Sequence, residues 1–143
     1  MVDSRSDDVL EVDELWAFVG NKWHPSWLWL ALCRRTRQVV AFYLGPRTKQ
    51  SCLSLWQRIP WQYQHCYSYS DYLESYKTIF GTKKHFQVGK ESGEVNHLER
   101  LNNTIRQRLC RYVRKTLSFS KSQEMHYLYT KLFLTNYNLS VIS

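Results

Sequence analysis

The run Trp27-Leu28-Trp29-Leu30-Ala31-Leu32-Cys33 constrains the fold more than any other stretch. It is far short of the roughly 20 apolar residues that cross a bilayer. It has the length of a strand, and a strand apolar at every position has both of its faces buried. The chain must therefore supply neighbouring strands and helical cover on both sides. Residues 9–19 read as a strand before the run, and Val39–Leu44 as one after it. Gly20-Asn21-Lys22 with His24-Pro25-Ser26, and Arg34-Arg35-Thr36-Arg37-Gln38, read as the turns between them.

From Thr48 the period changes. Thr48 reads as an N-cap, with Leu53, Leu55 and Trp56 at helical spacing before Pro60. Residues 65–70 predict a fourth strand, Leu73–Ile79 a short helix stopped by Gly81, and Lys84–Val88 a fifth strand. Val95–Lys115 predicts the longest helix, with Leu98, Leu101, Ile105, Leu109 and Tyr112 on one face. Residues 123–139 predict a last helix whose apolar face carries Met125, Leu128, Tyr129, Leu132 and Phe133. The order β-β-β-α-β-α-β-α-α predicts one α/β domain, a core over residues 9–143 behind a polar segment over 1–8. Trp16, Trp27 and Trp29 are expected in its interior.

Charge narrows the partner. Residues 1–14 hold six of the twelve acids and a single base. The remainder carries nineteen Lys/Arg against six Asp/Glu, a balance of +13. Such a field favours a polyanion, DNA or RNA. Cys33, Cys52, Cys66 and Cys110 form no CxxC pair and predict neither a zinc site nor a disulfide framework, which suits a reducing cytoplasm. No charged-then-apolar leader opens the sequence.

Three carboxylates stand out. Asp13 lies within the first strand, Asp71 closes the fourth, and Glu99 sits on an otherwise basic helix, in the stretch His97–Asn103. If the fourth strand lies beside and parallel to the first, Asp13 and Asp71 meet across 58 residues of sequence. Glu99 then arrives from the crossing helix, at the edge of its apolar stripe and in a row with Asn103 and Arg106. Converging carboxylates suit hard divalent ions, and two ions about 4 Å apart can clamp both oxygens of an in-line phosphoryl displacement. Spacing alone equally allows Asp13 and Asp71 as turn or cap residues and Glu99 as a solvated helix acid. Glu14 follows Asp13, and strand alternation points it to the other face, so it is not counted as a ligand.

Three ordered motifs carry a resemblance. Asp13-Glu14-Leu15-Trp16-Ala17-Phe18-Val19-Gly20, continuing through Trp27-Leu28-Trp29 and Phe42-Tyr43-Leu44-Gly45-Pro46-Arg47-Thr48, is the first. Ser70-Asp71-Tyr72-Leu73-Glu74-Ser75-Tyr76 is the second. Leu98-Glu99-Arg100-Leu101-Asn102-Asn103-Thr104-Ile105-Arg106, running to Ser118-Phe119-Ser120-Lys121-Ser122 and His126, is the third. Together they resemble the transposases of the "insertion sequence one" family over about residues 9–138. The resemblance implies a ribonuclease-H-like catalytic core of the retroviral-integrase type with an Asp-Asp-Glu triad. By position the catalytic and metal-binding residues are Asp13, Asp71 and Glu99, with two Mg2+ or Mn2+ ions. It implies cleavage of element ends and strand transfer into target DNA, a homo-oligomer in the synaptic complex, and a bacterial cytoplasmic, nucleoid-associated setting.

Among the basic residues, Arg100, Asn102, Arg106 and Arg114 are the expected DNA contacts, with Lys83-Lys84 as possible additions. Neither His97 nor His126 is expected to be a ligand. The chain begins twelve residues before Asp13. The family's upstream DNA-recognition region, with its zinc motif and helix-turn-helix, is therefore expected to lie outside it, as in a product of the downstream reading frame or a decayed copy. Two alternatives stay open: a ribonuclease-H-like nuclease without strand transfer, and a non-catalytic DNA-binding or inhibitory fragment of a transposase.

Overall fold

The computed structural model describes residues 2–18, 25–71, 73–81, 84–89, 92–116 and 123–142. The strands are β1 (Val9–Phe18), β2 (Pro25–Cys33), β3 (Val39–Gly45), β4 (Tyr67–Ser70) and β5 (His85–Gln87). The helices are α1 (Lys49–Arg58), α2 (Trp61–Gln64), α3 (Glu74–Phe80), α4 (Asn96–Thr116) and α5 (Gln123–Ser140). They form an α/β fold around one mixed sheet in the order β3-β2-β1-β4-β5. β1, β2 and β3 are antiparallel neighbours, while β4 runs parallel to β1 and β5 parallel to β4.

The apolar run lies in β2, next to the centre. Leu28 to Cys33 are fully buried, and alternation divides them between two cores. Trp29, Ala31 and Cys33 join Leu10, Val12, Cys52, Leu55, Ile59 and Tyr76 under α1 and α3. Leu28, Leu30 and Leu32 join Leu15, Leu98, Leu101, Ile105 and Leu134 under α4 and α5. α4 packs on β1 and α5 on β3. Both layers that the run demanded are present.

Several expectations need correction. The fourth strand begins at Tyr67, because Pro60 opens the extra turn α2 and Cys66 N–H still bonds to Tyr63. On α5, Leu128 and Leu132 are exposed, whereas Thr130 and Leu134 are buried. Tyr129, Phe133 and Tyr137 pack with Leu134 against the core. The helix is rotated from the expected face because its end is stapled to β3: Val39 N–H donates to Asn138 Oδ1 at 2.7 Å and Asn138 Nδ2 donates to Val39 O at 2.9 Å. Met125 lies outside the side chains described. Trp29 is buried as expected and Trp27 packs beside it, but Trp16 is about half exposed near the end of β1. The polar segment over residues 2–8 is anchored. Asp8 is buried and accepts from Arg35 Nε at 2.6 Å.

Candidate active site

β1 carries the centre of the site because its pairing ends early on one side. It pairs with β4 only from Val9↔Tyr67 to Glu11↔Tyr69, and β4 stops at Ser70. Past Glu11 that edge of β1 is left for side chains. Asp13 bends back and accepts the Glu14 N–H on Oδ1 at 2.8 Å. Asp71 follows the last residue of β4, where its Oδ1 caps Leu73 N–H at 3.1 Å. One carboxylate oxygen from each of Asp13, Glu14 and Asp71 lies within 4.8 Å of the other two.

Glu14 does point toward the opposite face, as alternation requires. There it accepts from Tyr76 Oη at 2.6 Å and from Arg47 Nη2 at 3.0 Å. At the open edge, however, its carboxylate still reaches the other two. The expectation that its position on the other face separates it from Asp13 is therefore corrected. Alternation fixes the direction of Cβ, not the reach of a Glu side chain past the end of a partner strand.

The second wall is α4, and Glu11 sets its position. Glu11 is buried on the same face as Asp13 and accepts from His97 N at 3.0 Å, Leu98 N at 3.2 Å and His97 Nδ1 at 2.7 Å. A strand carboxylate thus caps the helix, meeting its unpaired N–H groups and its positive end. Arg34 Nε closes on the same carboxylate at 3.2 Å. One turn later Asn102 Nδ2 donates to Asp13 Oδ2 at 3.0 Å. Glu99, Asn103 and Arg106 line a cleft of about 240 Å³ together with Asp13 and Asn102.

The electrostatics are those of anions held together. Burial, then the charges of Glu14, Asp71 and Glu99, push the Asp13 carboxyl up to about 7, although the Glu14 N–H bond pulls the other way. Burial also raises Glu14, with Asp71 adding to it and with Tyr76 and Arg47 opposing. Three oxygens so close suit a divalent cation, whose ligand oxygens stand roughly 3–4 Å apart. They need only a small closure around one ion. A further acceptor is available, since Asn102 Oδ1 is buried and has no hydrogen-bond partner among the described residues. The donor set is all oxygen, as Mg2+ and Mn2+ prefer.

Behind Asp71 lies a buried relay. Ser70 Oγ donates to Asp71 O at 2.9 Å, so it must accept from His85 Nε2, 2.7 Å away. Burial pushes His85 down to about 4, so the ring is neutral. With Nε2 carrying the proton, Nδ1 accepts from Ser68 Oγ at 2.6 Å. The relay stiffens the end of β4 where Asp71 emerges.

Asp13 and Asp71 meet as the sequence predicted. Glu99 shares the cleft with Asp13, but it is not part of the tight trio. Asn102, expected to contact DNA, is 4 % exposed and holds Asp13 from the wall of the cleft. The helical period contained that signal, because residue 102 lies one turn from both Leu98 and Ile105, inside the buried stripe. Arg106 lies at the cleft, and Arg100 and Arg108 are exposed on α4. The Arg114 and His126 side chains and Lys83 fall outside what is described. Lys84 is exposed and donates to His65 O, and His97 serves Glu11.

A family model described as IS1 transposase matches residues 9–138. The chain is 36% identical over 120 residues to the insertion element iso-IS1n protein InsB of Shigella dysenteriae, covering 82% of this chain and 87% of that one. It is 36% identical over 122 residues to the insertion element IS1 protein InsB of Shigella flexneri, covering 81% and 86%. It is 35% identical over 122 residues to the insertion element IS1 4 protein InsB of Escherichia coli K12, covering 81% and 67%. No solved structure matches the chain.

Proposed function

The chain belongs to the IS1 transposase family, and from that premise we propose that it is the Asp-Asp-Glu catalytic core that cuts element ends and joins them to target DNA. The observation that carries the reading is the meeting of Asp13, Glu14 and Asp71 at the end of β4, opposite Glu99 on α4. The strand order, with β4 parallel to β1 and a helix crossing that face, is what a ribonuclease-H-like core requires.

Asp13 belongs both to the trio and to the cleft that Glu99 lines. Asp13, Glu14, Asp71 and Glu99 are the residues that would hold the divalent ions. When bound, divalent ions offset the charge that builds on phosphate oxygens during in-line displacement. The chain's own residues prepare that site. Asn102 and the Glu14 N–H fix the two oxygens of Asp13. Tyr76 and Arg47 hold Glu14. The His85 relay holds the backbone of Asp71. Arg106 at the cleft, with Arg100 and Arg108 exposed along the helix, offers guanidinium groups to phosphates. No described helix is long and apolar enough to cross a membrane.

The test is cutting and joining of labelled element-end DNA with Mg2+, with the family's DNA-recognition region fused upstream. Asp71→Asn and Glu99→Gln should each reduce both products by about 100-fold or more, since each removes several kcal/mol of charge stabilisation. Unchanged cutting by Asp71→Asn sinks the assignment. Cutting without joined strands in the unmodified protein favours the nuclease reading instead.

A homo-oligomer in the synaptic complex is part of the same proposal, and α5 supports it. Leu128, Leu132 and Leu139 are 56%, 58% and 63% exposed. With Thr135 they follow the 4-3-4 spacing of a helix seam that packs against another helix. A second copy presents the same stripe, as a two-fold contact requires. Leu132→Asp should convert an associating protein to a monomer in sedimentation while leaving its circular dichroism spectrum unchanged. A wild type that stays monomeric with and without DNA removes this seam from the assembly.

A further inference from the structure

The two short strands β4 and β5 divide their side chains sharply. Ser68, Ser70 and His85 face inward, where Tyr76 and Phe80 pack on the histidine ring. On the other face Tyr67, Phe86 and Tyr69 form a ladder. Tyr67 and Phe86 are stacked at 5.8 Å between centroids and 23°, and Phe86 and Tyr69 lie 5.4 Å apart at 30°. The Arg34 guanidinium covers Tyr69 at 5.1 Å, extending the stack by one more flat group. α4 packs on β1 and α5 on β3, and among the described residues no helix packs closely over this end of the sheet face. Tyr67 is 50% and Phe86 41% exposed. Aromatic rings kept in water beside a sheet edge call for a partner.

Position identifies the partner. Tyr69 pairs in register with Glu11, which shares its face of β1 with Asp13. Same-face positions along a strand are roughly 7 Å apart. The ladder thus starts about one step before Asp71 and leads directly away from it. It continues the surface of the catalytic cleft rather than occupying a separate side of the molecule. Arg34 already pairs with Glu11 and Glu94, so its contribution here is its planar face and not a free charge. Flat, apolar, stacked rings beside a phosphate-processing centre, on a chain with a balance of +13 outside its first fourteen residues, match unpaired nucleobases. Every base presents a π-face, so such a platform is indifferent to sequence.

We propose that Tyr67 and Phe86, backed by Tyr69 and Arg34, form a stacking platform for unpaired bases of the DNA strand that enters the Asp13–Asp71 cleft. This rests on the transposase-core reading above and adds the state of the substrate: the strand is single-stranded where it leaves the carboxylates. A platform that engages before chemistry also holds the strand without metal.

The experiment uses the full chain, a fluorescein-labelled oligothymidylate and a matched duplex, without divalent ions. Tyr67→Ser and Phe86→Ser should each weaken oligothymidylate binding about tenfold and leave duplex binding within about twofold. Phe86→Trp should restore it, because a larger ring stacks at least as well. A 2-aminopurine placed in the single strand should lose fluorescence on binding the wild type, and keep it with either Ser variant. Equal loss for duplex and single strand, or unaltered single-strand binding, overturns the platform. Unaltered single-strand binding with altered sedimentation assigns the ladder to a protein contact, which also overturns it. Asp71→Asn should bind oligothymidylate normally here and fail to cut in the separate Mg2+ cutting and joining assay. The platform can thus fail with cutting intact, and cutting can fail with the platform intact.

Discussion

Asp13→Asn is expected to cut no DNA and yet to melt at a higher temperature than the wild type above pH 7. The Asp13 carboxyl titrates at about 7 in the folded protein against 3.8 for an unperturbed Asp, because burial and then Glu14, Asp71 and Glu99 resist its ionisation. Below about pH 4 the group is protonated in both states and the folded state carries no penalty. Between about 4 and 7 the unfolded chain releases its proton and the folded chain keeps it, so the wild type loses stability as pH rises. Above 7 the whole penalty is present, on the order of 2–4 kcal/mol after allowance for partial solvent screening.

Asn removes that penalty and keeps the number of hydrogen bonds. Its Oδ1 can keep the Glu14 N–H, and its amide can donate to Asn102 Oδ1 once that side chain flips, which leaves Asn102 Nδ2 in the place where Oδ1 has no partner among the described residues. Denaturant titrations from pH 4 to 9 should show the two proteins diverging up to about pH 8 and running parallel beyond it. Mn2+ should raise the melting temperature of the wild type far more than that of the variant. A variant less stable than the wild type at pH 8 contradicts the crowded-anion account. Catalysis should fall by about 1000-fold or more, because this carboxylate borders both halves of the site.

Glu11→Ala should be the most damaging substitution outside the carboxylate cluster. Its side chain is fully buried and accepts from two backbone N–H groups at the start of α4, from His97 Nδ1 and from Arg34. Alanine leaves those donors unanswered in a buried place, at a cost of about 3–5 kcal/mol. Glu11→Gln should cost less, since one acceptor oxygen survives. The second consequence is geometric. α4 carries Glu99 and Asn102, so loosening its first turn should weaken the Mn2+-induced rise in melting temperature even where the protein still folds. Urea unfolding below 1 kcal/mol of destabilisation, with the Mn2+ response intact, would show that α4 is positioned by Leu98, Leu101 and Ile105 alone.

Glu11 also marks where local pattern stops being informative. It sits in an apolar run and reads as an ordinary alternating strand residue. Nothing within that run indicates that a helix start 86 residues later will lie over it. Asn102 is the opposite case. Its place inside the stripe of Leu98 and Ile105 follows from the 3.6-residue period, yet its polar identity on a basic helix points toward DNA. Leu128 and Leu132 looked like core for the same reason in reverse, since an apolar stripe does not say which of two apolar faces is covered.

The sequence by itself determined the order of the five strands and of every helix but α2, the doubly covered β2, and the ends of β4 and α3 at which Asp71 and Gly81 sit, because these depend on periods and turn chemistry acting within a few residues. Only the tertiary structure decided that Glu14 joins Asp13 and Asp71, that Glu11 caps α4, and that Tyr67, Tyr69 and Phe86 share the face of the cleft. Each of those depends on where a strand pairing ends relative to a neighbour distant in sequence, and an ångström-scale offset between packed elements leaves no trace in local composition.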